Sequence, residues 1–258
     1  MPPSVNPEDL VLGARVAGGV YDFAKEQHLL DRLIDAFRKK HRVLVLGSAG
    51  AGKTNMIKSL TQDALAVSRM TRTRERKERS LRIRDKPFIF IDTPGDVAYK
   101  SERIRAIQDA LRTKTQGIIN VVSYGYHEAQ GDIGAALKAD QADPEYLEER
   151  RKQEIDRLAE WVMILGGGES ANWLLTVITK ADLWWNQKDN VFDYYNSGPY
   201  DKELGDARSI HKGTVEYCSV MHKFFDKGPL AGTFDDADRL HARRLLLERI
   251  IECTEVVE

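Results

Sequence analysis

Short apolar runs alternate with longer amphipathic stretches along most of the chain. Four of the runs are continuous and rich in branched side chains, which is typical of parallel strands buried on both faces. They lie at 43–46 (VLVL), 88–92 (FIFID), 117–122 (GIINVV) and 173–178 (WLLTVI), and a shorter run at 215–220 predicts a last strand. Strands that alternate with helices predict an α/β fold with a mainly parallel sheet covered on both faces.

Helical spacing marks five further stretches, in which apolar side chains recur every three or four positions. They are 20–40, 56–64, 99–113, 143–165 and 235–252. The fourth helix is predicted to begin at Asp143 and Pro144, an N-cap residue followed by proline at the first helical position. Residues 186–213 contain Gly, Pro and Asn breakers, so we expect a polar connection there.

These elements divide the chain into three parts. Residues 1–40 are predicted to form an N-terminal arm and an amphipathic helix, and residues 41–222 the main α/β domain. Residues 223–258 are predicted to form a C-terminal helical extension that packs on that domain. A chain of 258 residues suits one such domain with additions better than two full domains.

Composition indicates the cellular compartment and the possible partners of the protein but not its chemistry. The net charge of -1 gives no global field toward nucleic acid or an anionic membrane, so neither is indicated as a partner. Two cysteines, Cys218 and Cys253, argue against a disulfide scaffold and fit a reducing compartment. Because we find no signal peptide and no apolar run of roughly 20 residues, we expect a cytoplasmic protein without a membrane span.

The first motif with a chemical meaning is GSAGAGKT at 47–54, which follows the first strand and opens a helix. It matches G-x-x-x-x-G-K-[ST], in which backbone N–H groups and the helix N-terminus surround phosphate. The candidate phosphate contacts are Ala49, Gly50, Ala51, Gly52, Lys53, Thr54 and Asn55. Lys53 would reach the β- and γ-phosphates, Thr54 would ligate Mg²⁺, and Asn55 would offer its N–H to the α-phosphate. The alternative is a plain glycine turn before a helix.

The second motif is DTPGD at 92–96, at the end of the second strand and 38 residues after Thr54. Asp92 can hold Mg²⁺ through a water, and the N–H of Gly95 can donate to a γ-phosphate oxygen. That hydrogen bond is lost on hydrolysis, so the segment after it can relax. Alone, the motif would be only a turn after a strand.

The third motif, TKAD at 179–182, follows the fourth strand. A carboxylate at Asp182 can accept both N1–H and the exocyclic amine of guanine, whereas adenine has no N1–H. The stem of Lys180 would lie along the base. The alternatives are a solvated loop and, for the chain as a whole, a P-loop ATPase.

In this order, each at the carboxyl end of an apolar strand, the three motifs resemble the Ras-like and translation-factor-like class of P-loop GTPases over roughly residues 41–222. The resemblance implies a three-layer P-loop sandwich whose main domain is a G domain. It also implies binding of GTP or GDP with Mg²⁺ and hydrolysis of GTP. Thr179 replaces the Asn that is usual in the base motif. Ser219, after Cys218, is the candidate for the last motif of the class, although an ordinary strand end is an equal alternative.

The resemblance also implies a threonine that closes over Mg²⁺, for which Thr73 is favoured over Thr71. The surrounding basic stretch, 72–86, is either a solvated loop with an edge strand or a partner-binding face. Many Ras-like members carry Gln directly after the glycine of the second motif, where this chain has Asp96. An aspartate can orient water but adds negative charge, so intrinsic hydrolysis is expected to be slow.

The candidate catalytic residues are therefore Lys53, Thr73, Gly95 and Asp96, with Thr54, Thr73 and Asp92 at the metal. Arg72 or Arg74 would supply positive charge in cis, or a partner would supply an arginine in trans. We expect a nucleotide-controlled switch read by a protein effector or activating partner, with a homodimer as a further option. A non-enzymatic, nucleotide-bound interaction module is the alternative function.

Overall fold

The computed structural model describes most of the chain from residue 40 onward. The described ranges are 40–61, 76–83, 86–96, 99–113, 115–127, 136–139, 141–165, 171–220 and 234–255. The chain forms two compact units, Met1–Lys40 and His41–Glu258. The predicted helix at 20–40 lies outside the described residues except for Lys40. Everything below concerns the second unit.

A six-stranded sheet forms the centre of this unit. The described residues of the unit form this sheet and a separate short hairpin, with the strands β1 (His41–Gly47), β2 (Lys77–Ile83), β3 (Lys86–Asp92), β4 (Gly117–Val122), β5 (Leu137–Lys138), β6 (Gln141–Ala142), β7 (Trp173–Ile178) and β8 (His211–Glu216). The sheet order is β2-β3-β1-β4-β7-β8, and β5 with β6 forms a separate two-stranded hairpin. All neighbours in the large sheet are parallel except β2, which is antiparallel to β3. The predicted α/β fold with a mainly parallel sheet is confirmed.

The helices lie on both faces of this sheet. They are α1 (Lys53–Thr61), α2 (Lys100–Arg112), α3 (Pro144–Leu165), α4 (Ala181–Trp184), α5 (Lys188–Asn196), α6 (Pro199–Glu203) and α7 (Asp236–Glu255), with 3-10 turns at Trp185–Gln187 and Gly205–Ile210. The start of α3 is capped as its sequence predicts, because the N–H of Glu145 donates to the Asp143 carboxylate at 3.1 Å.

Alternation along β1 separates two hydrophobic cores, one on each face of the sheet. Val43 and Val45 point into a core shared with α1 and α7, through side chains such as Met56 and Leu246. Leu44 and Leu46 point into the opposite core, which contains side chains of α2 to α6. The described unit is therefore a three-layer sandwich.

The order of strands leaves a crevice at the carboxyl end of β1. The chain passes from β1 to β3 on one side of β1, and then to β4 on the other side. Helices that leave neighbouring strands on opposite faces open a crevice at such a switch point, where α/β proteins bind ligands.

Two predictions for the carboxyl-terminal half were wrong. Residues 186–213 are not a polar connection but form α5, α6, a 3-10 turn and the first residues of β8. The last strand runs from His211 to Glu216, four residues earlier than the run at 215–220 suggested. At the opposite edge, β2 shows that the edge-strand alternative holds for residues 77–83.

The short helices are held by buried tyrosines. Tyr200 of α6 is fully buried, and its hydroxyl accepts from Asn120 Nδ2 of β4 at 2.5 Å. The same hydroxyl lies 3.0 Å from Thr176 Oγ1 of β7, which in turn lies 3.0 Å from His211 Nε2 of β8. A polar group buried this deeply must be hydrogen-bonded, so the network ties α6 to β4, β7 and the edge strand β8.

We expect Tyr200→Phe to lower the free energy of unfolding by about 1–3 kcal/mol, because it leaves the buried Asn120 amide without that acceptor. Urea unfolding measures the loss. Tyr194→Phe is the matched control, since the Tyr194 hydroxyl reaches only the Arg151 carbonyl at 3.5 Å. Equal stability of the parent and Tyr200→Phe would contradict the anchoring role of the network.

Candidate nucleotide-binding site

The loop between β1 and α1 has the backbone of a phosphate cradle. Gly50 and Gly52 adopt φ of 76° and 93°, in the left-handed region that favours glycine. The N–H of Ala51 donates to the Ser48 carbonyl at 3.3 Å, which folds the loop tightly before the helix. Asn55 lies in the first turn of α1, where backbone N–H groups lack helical partners. The loop thus presents donors at the switch point of the sheet.

Lys53 is folded back into this loop. Its side chain is buried, and Nζ donates to the carbonyls of Gly47 at 2.6 Å and Ser48 at 2.9 Å. Burial lowers the pKa of Lys53 to about 8, with Asp92 opposing the shift and Arg103 adding to it. A lysine held this way gains stabilisation from any anion that enters the cradle.

Thr54 and Asp92 bring together the first and second motifs. The Thr54 hydroxyl donates to Asp92 Oδ2 at 2.7 Å, and Asp92 is fully buried at the end of β3. Hydroxyl and carboxylate oxygens are the donors that Mg²⁺ prefers, usually with phosphate and water completing the shell. The pair fits such an ion. Among the described residues, no group of three or more His, Cys, Asp or Glu side chains forms a separate metal site.

Gly95 lies directly against the phosphate loop. Its carbonyl accepts from the N–H of Ala49 at 3.1 Å. A Cβ at this position would collide with Lys53 Nζ and would come within 2.7 Å of the backbone of Ser48 and Ala49. Only glycine therefore allows this segment to approach the loop so closely.

Arg103 of α2 is a site residue that the sequence analysis missed. It is buried, donates to the Asp96 carbonyl at 2.9 Å, and reaches both carboxylate oxygens of Glu160 in α3 at 3.3 Å. Asp96 itself is half-buried. The signal was present, because Arg103 shares a helix face with Ile107 and Ala110 at spacings of four and seven. This arginine fixes the backbone directly after Gly95.

The third motif lies beside the first. Thr179 Oγ1 is 2.6 Å from the Ala51 carbonyl and 2.9 Å from the Val122 carbonyl, and one hydroxyl hydrogen can serve either acceptor. Thr179 is therefore well suited to link the base motif to the phosphate loop, in the place where the related class usually has Asn. Lys180 Nζ donates to the Tyr126 carbonyl at 2.6 Å. The indole N–H of Trp184 donates to the Thr179 carbonyl at 2.8 Å and so stabilises the turn between β7 and α4.

Asp182 is fully buried at the start of α4, and the Cys218 thiol donates to its Oδ1 at 3.2 Å. Burial and the Asp182 carboxylate raise the pKa of Cys218 far above its usual value, so the thiol stays protonated and remains a donor. Ser219 is buried too, but it lies in the turn after β8 rather than at the end of the strand. The segment around Cys218 therefore packs against the third motif and contacts it at Asp182.

The structure brings together most of the predicted site residues, from Ala49 to Asn55, from Asp92 to Asp96, and from Thr179 to Asp182. Thr71, Arg72, Thr73 and Arg74 lie outside the described residues. Their predicted roles in closing over the metal or supplying charge stay predictions.

Residues 42–160 match the model of the family described as 50S ribosome-binding GTPase, over slightly less than half of the chain. The matched residues are similar to the GTPase domain of that family. This match supports binding of a guanine nucleotide at the site just described. No curated protein matches the sequence significantly.

Three solved structures are similar to this chain at low sequence identity. A variant of a protein named SsGBP is 16% identical, with 90% of this chain and 63% of that chain covered at a TM-score of 0.48. A GTP-binding protein from Sulfolobus solfataricus in complex with GDP is 13% identical, with 96% and 62% covered at 0.46. The small GTPase Arl6 BBS3 from Trypanosoma brucei with bound GppNp is 14% identical, with 82% and 97% covered at 0.45. The chain thus spans under two thirds of the first two proteins.

Within the described residues, none of the helices combines the length and the apolar character needed to cross a bilayer.

The position of Lys53 predicts a pH dependence of nucleotide affinity. With a pKa of about 8, Lys53 is charged below that pH and loses its proton above it in the ligand-free protein. Phosphate oxygens raise the pKa of the bound lysine, so binding above about pH 8 takes up a proton and the affinity falls by up to about tenfold per pH unit.

Calorimetric titration of GDP between about pH 7 and about pH 9 measures this dependence. Lys53→Arg is the control, because a guanidinium stays charged throughout and removes the lysine titration. Ionisation of guanine itself affects both proteins equally. An identical pH profile for the two proteins would contradict the uptake of a proton by Lys53 on binding.

Proposed function

We propose that this protein binds GTP with Mg²⁺ and hydrolyses it slowly to GDP and phosphate, acting as a nucleotide-controlled switch. The observation that carries the proposal is the contact of Thr54 with Asp92 at 2.7 Å, directly beside the buried ammonium of Lys53. A phosphate-loop hydroxyl, a carboxylate from the next parallel strand and a lysine are the groups that hold a Mg-triphosphate in P-loop enzymes.

The choice of guanine rests on Asp182. Its carboxylate is fully buried at the start of α4, directly after β7, and a carboxylate can accept from both donors on the guanine edge. The Cys218 thiol lies 3.2 Å from one of its oxygens and 3.1 Å from the Val220 carbonyl, and its one hydrogen can serve either acceptor. An adenine would face this acceptor without an N1–H, leaving a buried charge poorly satisfied.

Chemistry at this site is expected to consist of positioning and charge stabilisation. Lys53 and the N–H groups of the phosphate loop would bind the phosphates. A bound Mg²⁺, held by Thr54, Asp92 and in our proposal Thr73, would neutralise charge between the β- and γ-phosphates. Asp96 would orient the attacking water through its carboxylate, but it brings no positive charge to the transition state.

The switch behaviour is proposed for the segment that begins at Gly95. Its carbonyl accepts from Ala49, and the Arg103 guanidinium fixes the Asp96 carbonyl against α3. A γ-phosphate bound in the phosphate loop would accept a hydrogen bond from the N–H of Gly95 and so shift the segment that begins there. The change would pass to α2 and α3, which present the surface for an effector or activating partner.

We expect Asp182→Asn to weaken GTP binding at least about tenfold and to improve XTP binding, because the amide presents a donor where the carboxylate only accepts. Competition of GTP, XTP and ATP against a fluorescent guanine nucleotide measures both effects. Asp189→Asn, at an exposed position of α5, is the matched control and should leave all three affinities unchanged. Equal affinity of the parent for ATP and GTP would contradict the assignment of guanine.

Hydrolysis by the isolated protein is expected to be slow, since a trans-acting arginine can be worth roughly 10³–10⁵ in rate and Asp96 supplies no such charge. Single-turnover assays on the parent, Arg72→Ala and Arg74→Ala separate the two sources of positive charge. An arginine in cis predicts loss of activity without loss of GTP affinity in one variant. Help in trans predicts a rate that rises with protein concentration.

Lys53→Ala is the inactive control for these assays. A fast rate that is independent of concentration and survives both arginine substitutions would contradict the proposed catalytic arrangement. Binding of GTP without any turnover, at every concentration and with added cell extract, would favour a nucleotide-bound interaction module instead.

A further inference from the structure

Glu154, in the middle of α3, is a charged residue that none of the three motifs includes. Its side chain is almost completely buried. One oxygen, Oε1, accepts from the N–H groups of Ser123 at 2.9 Å and Gly125 at 3.3 Å, and from the Ser123 hydroxyl at 3.3 Å. The other oxygen accepts from the Tyr195 hydroxyl at 2.6 Å. A carboxylate removed from water is costly unless it is bonded in this way.

Two further contacts complete this arrangement. The Tyr195 hydroxyl accepts from the N–H of Tyr124 at 3.0 Å, so Glu154 and its partner bind three consecutive backbone donors. His127 Nδ1 lies 3.4 Å from Glu154 Oε1. Burial alone raises the pKa of Glu154, but His127, Tyr195 and Ser123 outweigh it and hold the pKa below its usual value. The carboxylate is therefore ionised.

The bound segment, residues 123–127, is the loop that leaves β4. It needs external support, because Tyr124 and Gly125 both adopt left-handed backbone conformations, with φ of 53° and 84°. For a tyrosine such a conformation costs on the order of 1–3 kcal/mol and persists only where the surroundings hold it. At Gly125 a Cβ would collide with the Leu147 carbonyl of α3. The loop thus takes its shape from α3 and from Glu154 above all.

This loop ends on the base motif. The carbonyl of Tyr126, one residue after the last backbone N–H that Glu154 binds, accepts from Lys180 Nζ at 2.6 Å. Lys180 is itself buried and left-handed, with φ of 58°, and stands two residues before Asp182. The Tyr126 carbonyl therefore contributes to the direction of the Lys180 ammonium and of its apolar stem.

We propose that Glu154 is a positioning residue for nucleotide recognition, which holds the loop after β4 so that Tyr126 aims Lys180 along the base. The proposal rests on the proposed function, since it assigns a role within the same guanine site. Glu154 acts on the base side alone. Loss of Glu154 therefore lowers the affinity for a nucleotide but not the affinity for phosphates alone. If the carboxylate were merely structural, its loss would lower the stability of the protein and would not change the part of the affinity that depends on the base.

The first test is Glu154→Gln in the full chain, which keeps the shape but removes the charge and one acceptor. We expect GDP affinity to fall about tenfold, while affinity for inorganic pyrophosphate, measured by competition, stays within about threefold of the parent. Glu149→Gln, at an exposed position of the same helix, is the control and leaves both affinities unchanged. Equal loss for GDP and pyrophosphate, or no loss for either, overturns the positioning role.

The second test is a double-mutant cycle with Lys180→Met, which removes the ammonium and keeps an apolar stem. If Glu154 acts through Lys180, the double variant binds GDP no more than about threefold worse than Lys180→Met alone. If the loss of GDP affinity in the double variant equals the product of the losses in the two single variants, the two residues act independently and the proposal is overturned.

If Glu154→Gln fails to fold by circular dichroism, Tyr195→Phe takes its place, since it removes one hydrogen bond to Glu154 and the acceptor for Tyr124. The expected result is a smaller loss, about threefold, again for GDP and not for pyrophosphate. A parent that binds no guanine nucleotide overturns the proposed function itself. If the parent binds GDP and the variants bind it with unchanged affinity, only the proposed role of Glu154 is overturned.

Discussion

Parallel pairing of β3, β1, β4 and β7 is the constraint on which the rest of this molecule depends. Val45 pairs with Asp92, Gly47 pairs with Val121, and Val122 pairs with Ile178. Because parallel strands end at the same edge, three segments that lie far apart along the chain reach one crevice. The two apolar cores that cover the sheet therefore stabilise the site as well as the fold.

The site contains several buried charges, and this has an energetic consequence. Lys53, Asp92, Arg103 and Glu154 are all almost fully buried, although burying an ion costs several kcal/mol before its partners compensate. Each is held by hydrogen bonds to backbone, to a hydroxyl or to an opposite charge. Such an arrangement adds little to stability but defines positions closely, which suits a site that must orient a phosphate chain and a base at once.

Helix α3 connects the two ends of the crevice. Glu160 binds Arg103, which fixes the backbone after Gly95, and Glu154 binds the loop that contacts Lys180. The two carboxylates are six residues apart on one rigid element. A displacement of α2 at the phosphate end would reach the base end through these contacts of α3, which offers a physical route for the proposed switch.

The amino-acid sequence by itself determined the strands at the centre of the sheet and the three motifs at their ends. Continuous branched runs can be buried only as central strands, and the phosphate loop needs glycines and a lysine at fixed spacing. Tertiary structure decided the rest. Residues 186–213 were expected to form a polar connection because of their Gly, Pro and Asn breakers. Tyr195 and Tyr200 are nevertheless buried there, since partners on other elements, Glu154 and Asn120, satisfy their hydroxyls. Local pattern cannot reveal a partner that lies 41 or 80 residues away. For the same reason the helical spacing places Arg103 on the apolar face of α2 but does not reveal the partners of Arg103 or Glu154.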